Sequence, residues 1–261
     1  AGRHSGPGLH FADMVHPLNH RLRRLWPALS LLGTLTVSAG DSTIPAERQQ
    51  MLRAIERSVA NAEDYTGLQR LSDKVMDAMG SVPREEFVLP EYRHLAYDNT
   101  PLPIAAGQTI SQPLIVALMT ELLDPQPEDV ILEVGTGSGY QAAVLSGLVR
   151  QVYGIEIVEE LATGAAEVLA RLGYDNVAVT AGDGYQGWPE HAPFDGIIVT
   201  AAPDEIPPPL LQQLKPGGRL VIPVGAENGY QELLLVTVDA DGNAQRRSML
   251  PVRFVPLTGD R

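Results

Sequence analysis

The sequence predicts an α/β chain built on a doubly wound, mostly parallel sheet, and three observations predict it. From residue 129 onward, short apolar runs alternate with helical patterns, the order a parallel sheet with crossover helices requires. The first of those runs turns into a helix over glycines, Glu133-Val134-Gly135-Thr136-Gly137-Ser138-Gly139. Three consecutive strand-like runs end in an acid: Glu133, Glu156 and, in Gly182-Asp183-Gly184, Asp183. The three acids therefore share one sheet edge, and ligands of open α/β sheets bind beyond the carboxyl ends of the strands.

The elements follow in order. Residues 1–20 are glycine- and histidine-rich without periodicity and read as a disordered leader. Arg21-Leu22-Arg23-Arg24 is followed by an apolar run over 25–37 and by Ser38-Ala39-Gly40, the three parts of a secretory signal. That run is shorter than the roughly 20 apolar residues of a membrane-spanning helix, so no stable membrane anchor is expected. An upstream extension without a targeting role is the competing reading. Residues 45–80 carry two helical stripes, Met51, Leu52, Ile55 and Val59, then Leu68, Leu71, Val75, Met76 and Met79. Residues 82–111 have no period and hold four prolines, but Phe87, Leu89, Tyr92, Leu95 and Tyr97 predict an ordered loop over the site. His94 within it is expected to be packed or hydrogen-bonded. A helix is predicted over 112–123. Strands are predicted near 129–134, 151–156, 176–181, 194–200 and 218–223, with helices near 138–149, 158–172 and 207–214. Two last runs, 231–238 and 246–255, flank Asp239-Ala240-Asp241-Gly242-Asn243, which reads as a hairpin turn and gives the sheet an antiparallel C-terminal end. The expected organisation is a leader over 1–44 and one domain over 45–261, with N-terminal helices and loop over 45–127 and a cofactor-binding core over 128–261.

Composition narrows the chemistry. The net charge is −13, and residues 1–45 are locally basic, so the acidity lies in the domain. A surface this acidic repels phosphate backbones and excludes nucleic acid as a partner. There is no cysteine, hence no disulfide and no thiolate metal site. Of the six histidines only His94 and His191 fall beyond residue 20, with no H-E-x-x-H pairing, and no metal site is expected.

A strand that turns over glycines into a helix gathers bare N–H groups and the positive end of the helix dipole at one point. That suits a nucleotide-like cofactor. A dinucleotide fingerprint reads G-x-G-x-x-G, whereas here the third glycine comes one residue early. Glu156 lies where a carboxylate accepts from both ribose hydroxyls. The pattern resembles the class I methyltransferases, which bind S-adenosyl-L-methionine.

A closer resemblance is carried by Phe87-Val88-Leu89-Pro90-Glu91-Tyr92-Arg93-His94, by Gly107-Gln108-Thr109-Ile110-Ser111-Gln112-Pro113, by Ala192-Pro193-Phe194-Asp195 and Val199-Thr200-Ala201-Ala202, and by Val252-Arg253-Phe254-Val255-Pro256-Leu257. Together with the glycine run, these are similar to the protein-L-isoaspartate O-methyltransferase family. The resemblance covers about residues 65–259. Ala105-Ala106 depart from it, standing where relatives often have a glycine and an aromatic residue. It implies methylation of the carboxylate of L-isoaspartyl residues in damaged peptides and proteins, initiating repair to aspartyl. It marks Ser111 as catalytic. It places Glu133 at the methionine amino end, Glu156 at the ribose and Asp183 at the adenine edge, with Gly135, Gly137, Gly139, Gly184 and Thr258 also on the cofactor. Ala201, Ala202 and Val255 would contact the peptide, the 199–203 loop through its backbone. Asp195 reads as structural. From local sequence alone Ser111 is an ordinary N-cap ahead of Pro113. Another carboxyl or small-molecule methyltransferase, and a non-catalytic binding protein, remain open as alternatives. The family reading points to the cytoplasm, where the methyl donor is made; the signal-like segment points to the periplasm.

Overall fold

The computed structural model of the chain describes residues 45–226 and 229–260; the leader and its signal-like segment lie outside the described residues. Helix α1 (Ala46–Asn61) buries Met51, Ile55 and Val59, the four-residue spacing of one helical face. A short α2 (Glu63–Thr66) ends on Gly67 in the left-handed conformation, and α3 (Asp73–Ser81) buries Val75 and Met79. The aperiodic stretch that follows is ordered. It holds 3-10 turns at Arg84–Glu86, Pro90–Leu95 and Ala105–Gly107, and β1 (Leu102–Pro103) pairs antiparallel with β2 (Thr109–Ile110). Phe87, Val88, Ala96, Leu102, Ile104 and Ile110 are all buried in it. His94 is a correction: it is exposed, and no described side-chain hydrogen bond involves it. The reason is local, since the turn Pro90–Leu95 buries none of its residues.

Ala106 sits at φ 55°, ψ 25°, inside the turn Ala105–Gly107. An L-residue there pays roughly 1–2 kcal/mol against its Cβ, which glycine avoids at a smaller entropic cost. Ala106→Gly is therefore expected to raise stability by about 0.5–1 kcal/mol; a thermal or denaturant midpoint that falls would contradict this.

Helix α4 (Pro113–Leu123) is apolar almost all round, and nine of its residues are buried. It lies between α1 and α3 on one side and the sheet on the other. The α/β alternation then runs β3 (Val130–Val134), α5 (Tyr140–Ser146), β4 (Gln151–Glu156), α6 (Glu159–Arg171), β5 (Val177–Ala181), β6 (Phe194–Val199), α7 (Pro208–Gln212), β7 (Leu214–Val224), β8 (Gln231–Val238) and β9 (Ala244–Val252). The sheet order is β5-β4-β3-β6-β7-β8-β9. Pairing is parallel from β5 to β7 and antiparallel from β7 to β9, as expected. Asp239 Oδ1 closes the hairpin by accepting from the N–H groups of Asp241 and Asn243 at 2.9 and 2.8 Å. The strand expected at 218–223 starts earlier, at Leu214, because Phe194 pairs with Leu214 across an irregular step in the β6–β7 ladder.

The sheet separates two apolar layers. Ile131, Val152 and Ile198 face the layer of α1, α3, α4, α5 and α6, whereas Leu132, Val134, Ile197 and Val199 face the layer that includes Leu210 of α7. Side chains alternate along a strand, so Glu133 shares the face of Ile131. It is thereby driven under α4 and α5 rather than into solvent.

Candidate active site

Beyond β3 the chain passes through Gly135 (φ 86°), Gly137 (φ 55°) and Gly139 (φ 88°) before entering α5. A Cβ on Gly135 would sit 2.8 Å from Thr200 Oγ1, the hydroxyl that donates to the Val134 carbonyl at 3.1 Å and also to that of Gly135. Gly139 allows α6 to close up, since a Cβ there would lie 3.1 Å from Leu169 Cδ1. The turn forms the floor of a cleft that the chain lines from the loop before α4, the ends of β3 and β4, and the C-terminal segment.

Glu133, Gly135, Gly137 and Glu156 all line that cleft. Glu133 has no exposed surface, and neither carboxyl oxygen has a hydrogen-bond partner. Burial pushes its pKa up to about 8, with the Glu156 charge adding to the rise and the nearby Thr136 hydroxyl and Ala142 N–H opposing it. Glu156, 6 % exposed, accepts from Gly137 N–H on Oε2 and from Val158 N–H on Oε1, each at 2.9 Å. One carboxylate thus ties the glycine turn to the head of α6.

Ser111 lines the same cleft, with Gln108, Thr109 and Ile110 of the ordered loop. The cap expected of it belongs elsewhere. Gln112 holds the N-cap position without a side-chain cap bond, and the α4 N–H of Leu114 is taken by Asn99 Oδ1 at 3.0 Å. Gln112 Nε2 donates to the Asn99 carbonyl at 2.8 Å, which fixes this remote cap. The Ser111 hydroxyl makes no hydrogen bond among the described residues. Its carbonyl accepts from Arg84 Nη2 at 2.7 Å.

The C-terminal segment closes the cleft. Val255, Leu257 and Thr258 line it beside Ala201 and Gly184. Ala202 is a correction. Its N–H donates to the Val255 carbonyl and its carbonyl accepts from Leu257 N–H, both at 2.8 Å, so its backbone is occupied by the chain itself and is not offered to a peptide. Asp183 also differs from expectation. Its Oδ1 accepts from Tyr185 N–H at 2.9 Å and its Oδ2 from Asp260 N–H at 2.8 Å, and Gly184 rather than Asp183 lines the cleft. Asp195 is structural as read: it accepts from Val130 N–H at 2.8 Å and pairs with Lys215 at 2.7 Å.

Arg84, Asn99 and Tyr140 are site residues that the sequence reading missed. Arg84 is fully buried behind Ser111, and its guanidinium lies 4.6 Å from the centroid of the Tyr140 ring, which itself lines the cleft. No local signal marks them, since an arginine in an aperiodic loop reads as solvated. Among the described residues no group of three or more acids and histidines is placed to hold a metal ion. The site therefore offers a glycine turn, two buried carboxyls and, in the same cleft, an unengaged hydroxyl. That set can align an anionic acceptor against an alkyl donor without a base or a metal.

A family model described as protein-L-isoaspartate(D-aspartate) O-methyltransferase matches residues 56–261. Among curated proteins, the chain is 57% identical over 231 residues to protein-L-isoaspartate O-methyltransferase 2 of Syntrophobacter fumaroxidans, covering 88% of this chain and 94% of that one. It is 53% identical over 250 residues to protein-L-isoaspartate O-methyltransferase 1 of Cupriavidus necator, covering 95% and 96%. Among solved structures, a protein-L-isoaspartate O-methyltransferase superposes with a TM-score of 0.71 at 30% identity, over 81% of this chain and 66% of that chain. A putative relative from Plasmodium falciparum, solved with S-adenosyl-L-homocysteine, gives 0.66 at 27% identity, over 81% and 98%.

Proposed function

This chain belongs to the protein-L-isoaspartate(D-aspartate) O-methyltransferase family, and from that premise we propose which of its residues carry the reaction. The enzyme methylates the carboxylate of L-isoaspartyl residues in peptides and proteins, with S-adenosyl-L-methionine as methyl donor, and so initiates their repair. The cleft fits that donor: a buried carboxyl without a partner, Glu133, lies beside a turn at whose Gly135 a Cβ would strike Thr200. When bound, the donor supplies an electrophilic methyl group on a positively charged sulfur.

The observation that carries the assignment is the Ser111 hydroxyl. It is released from capping by Asn99 and lines the same cleft as Glu133 and Glu156. Ser111 donates to one oxygen of the acceptor carboxylate and so aims the other. A carboxylate, with a reference pKa near 4, is already a nucleophile at pH 7; no base is required, and alignment with exclusion of water does the catalysis. Glu133 receives the amino end of the donor and Glu156 its ribose hydroxyls. Gly135 and Gly137 let the backbone come close, Gly139 acts only by seating α6 against the turn, and Gly184 and Thr258 border the adenine end. Asp183 serves that end indirectly, by clasping the C-terminal segment. Ala201 and Val255 meet the peptide. Labelled methyl donor offered with matched isoaspartyl and aspartyl peptides tests the reading: label is expected in the first alone, and equal labelling would sink it.

Glu133 gives the cofactor step a pH signature. Its pKa of about 8 lies above the ordinary 4.5, so below pH 8 the empty site holds the neutral acid. Taking up an ammonium group favours the ionised form and releases a proton. Affinity for S-adenosylhomocysteine should therefore climb by up to about tenfold per pH unit towards pH 8 and then level. The same raised pKa means the folded state binds the extra proton, so this group's contribution to stability falls as pH rises from 4.5 through 8. Calorimetry across that range, with Glu133→Gln as the flat control, checks the first claim; a parent profile as flat as the variant's would refute it.

Residues 45–261 are taken as one domain, in keeping with the single compact unit from Ile44 to Arg261. No helix among the described residues is long and apolar enough to cross a membrane. We place the enzyme in the cytoplasm, beside the source of its donor; recovery from the periplasm on cell fractionation would overturn this.

A further inference from the structure

Arg84 stands first among the largest fully buried side chains. Its guanidinium makes one hydrogen bond, from Nη2 to the Ser111 carbonyl at 2.7 Å, and its Nε and Nη1 have no partner. No described ion pair includes it. The two acids that follow it in sequence are committed elsewhere, Glu85 to the Tyr97 hydroxyl and Arg48, Glu86 to Arg171 at 2.9 Å. Tyr140 lies under the guanidinium, and its own hydroxyl is buried without a partner. Burial draws the Arg84 pKa down to about 10, which leaves it a cation at neutral pH. A buried charge held by one carbonyl and one aromatic ring, with no counter-ion, is a destabilising arrangement. Here it lies immediately behind the residue that receives the acceptor.

We propose that Arg84 is the specificity-determining charge of the acceptor site, a fixed cation behind Ser111 that favours an ionised carboxylate over the neutral ester made from it. This rests on the placement of the acceptor at Ser111. In the transfer a carboxylate oxygen gives an electron pair to the methyl carbon, and the carbon–sulfur bond breaks with its pair left on sulfur. No proton moves. The acceptor loses its negative charge as the sulfur loses its positive one. A fixed cation therefore holds the reactant anion more strongly than the transition state, where that charge is partly spent, and more strongly than the ester, which has none. Such an interaction lowers KM and speeds product release, and it raises the barrier from the bound complex by whatever part of the attraction is spent on the way to the transition state. Glu85 and Glu86 are engaged with their own partners, so among the described residues no carboxylate forms an ion pair with this cation.

The test uses the full protein loaded with S-adenosylhomocysteine and two peptides that differ only in carrying L-isoaspartyl or neutral L-isoasparaginyl at one position. The parent is expected to bind the charged peptide about tenfold more tightly, the size of one partly screened charge pair several ångströms apart. In Arg84→Met the two affinities should converge, with KM raised about tenfold and kcat not lowered in proportion, the chemical step being if anything faster. Arg84→Lys should keep the preference. Arg84→Gln keeps a donor for the Ser111 carbonyl without the charge, and so separates charge from scaffolding should the methionine variant not fold; its preference should vanish too. Retained preference in Arg84→Gln or Arg84→Met, or equal binding of both peptides by the parent, overturns the proposal. Turnover of Ser111→Ala, measured separately, reports on the acceptor reading itself: full turnover there fells that reading whatever Arg84 does.

Discussion

Replacing Ser111 by alanine is expected to lower kcat about 100-fold while leaving S-adenosylhomocysteine affinity within about twofold. The size follows from what the hydroxyl does. It neither removes a proton nor stabilises a growing charge, because charge disappears in this reaction. It fixes one acceptor oxygen so that the other lies in line with the methyl carbon, and a misplacement near 1 Å in such an alignment costs on the order of 100-fold. The structure isolates this effect from stability. Asn99 Oδ1, not Ser111, satisfies the Leu114 N–H at the head of α4. Thermal stability of Ser111→Ala should therefore stay at the parent level. A variant that melts early at full turnover would show Ser111 to be scaffolding; Asn99→Ala is the substitution expected to cost helix stability, by about 1 kcal/mol.

The second large effect is expected at Glu156. Each of its oxygens already accepts one backbone N–H, from Gly137 and from Val158 at 2.9 Å. A carboxylate oxygen has a second acceptor position, so one on each remains for the two ribose hydroxyls. Glu156→Ala removes charge-assisted bonds worth roughly 1.5–3 kcal/mol, or about 10- to 150-fold in cofactor affinity. It also frees the glycine turn from the head of α6, so the melting temperature should fall along with affinity. Glu156→Gln, with one acceptor oxygen left, should fall between. Calorimetry with S-adenosylhomocysteine reads all three proteins, and undiminished affinity in Glu156→Ala would remove Glu156 from the cofactor site.

The cofactor half of this site was legible in the sequence because its requirements are local. Three alternate positions of positive φ call for glycines at Gly135, Gly137 and Gly139, and strand periodicity carries Glu133 and Glu156 to one edge. The acceptor half was legible only where the resemblance marked it. Arg84 and Asn99 act on Ser111 and α4 across long stretches of chain, and nothing in their neighbouring residues encodes that. Local sequence alone favoured a cap at Ser111, against the catalytic role the resemblance marked, because the preference for serine at an N-cap is local while the Leu114 donor is satisfied from a distance. Ala202 was misread for the same kind of reason: a loop at a strand end looks open until the segment 255–257 pairs with it.

Arg48, at the head of α1, bears on where this protein can be cut. It donates to the Gly80 and Ser81 carbonyls at 3.0 and 3.1 Å and to the Tyr97 hydroxyl at 3.1 Å, and it pairs with Glu85, the neighbour of Arg84. Met51 and Ile55 of the same helix lie in the core against α4. The match to the family model begins at residue 56, in the middle of that helix. A fragment trimmed to the family boundary would keep every residue of the cleft and lose the brace of the loop that holds Arg84 and Ser111. The edge of the family model and the border of the folding unit thus fall at different places, while the likeness to the curated relatives runs on through α1, and a minimal active version of this enzyme has to keep that helix whole.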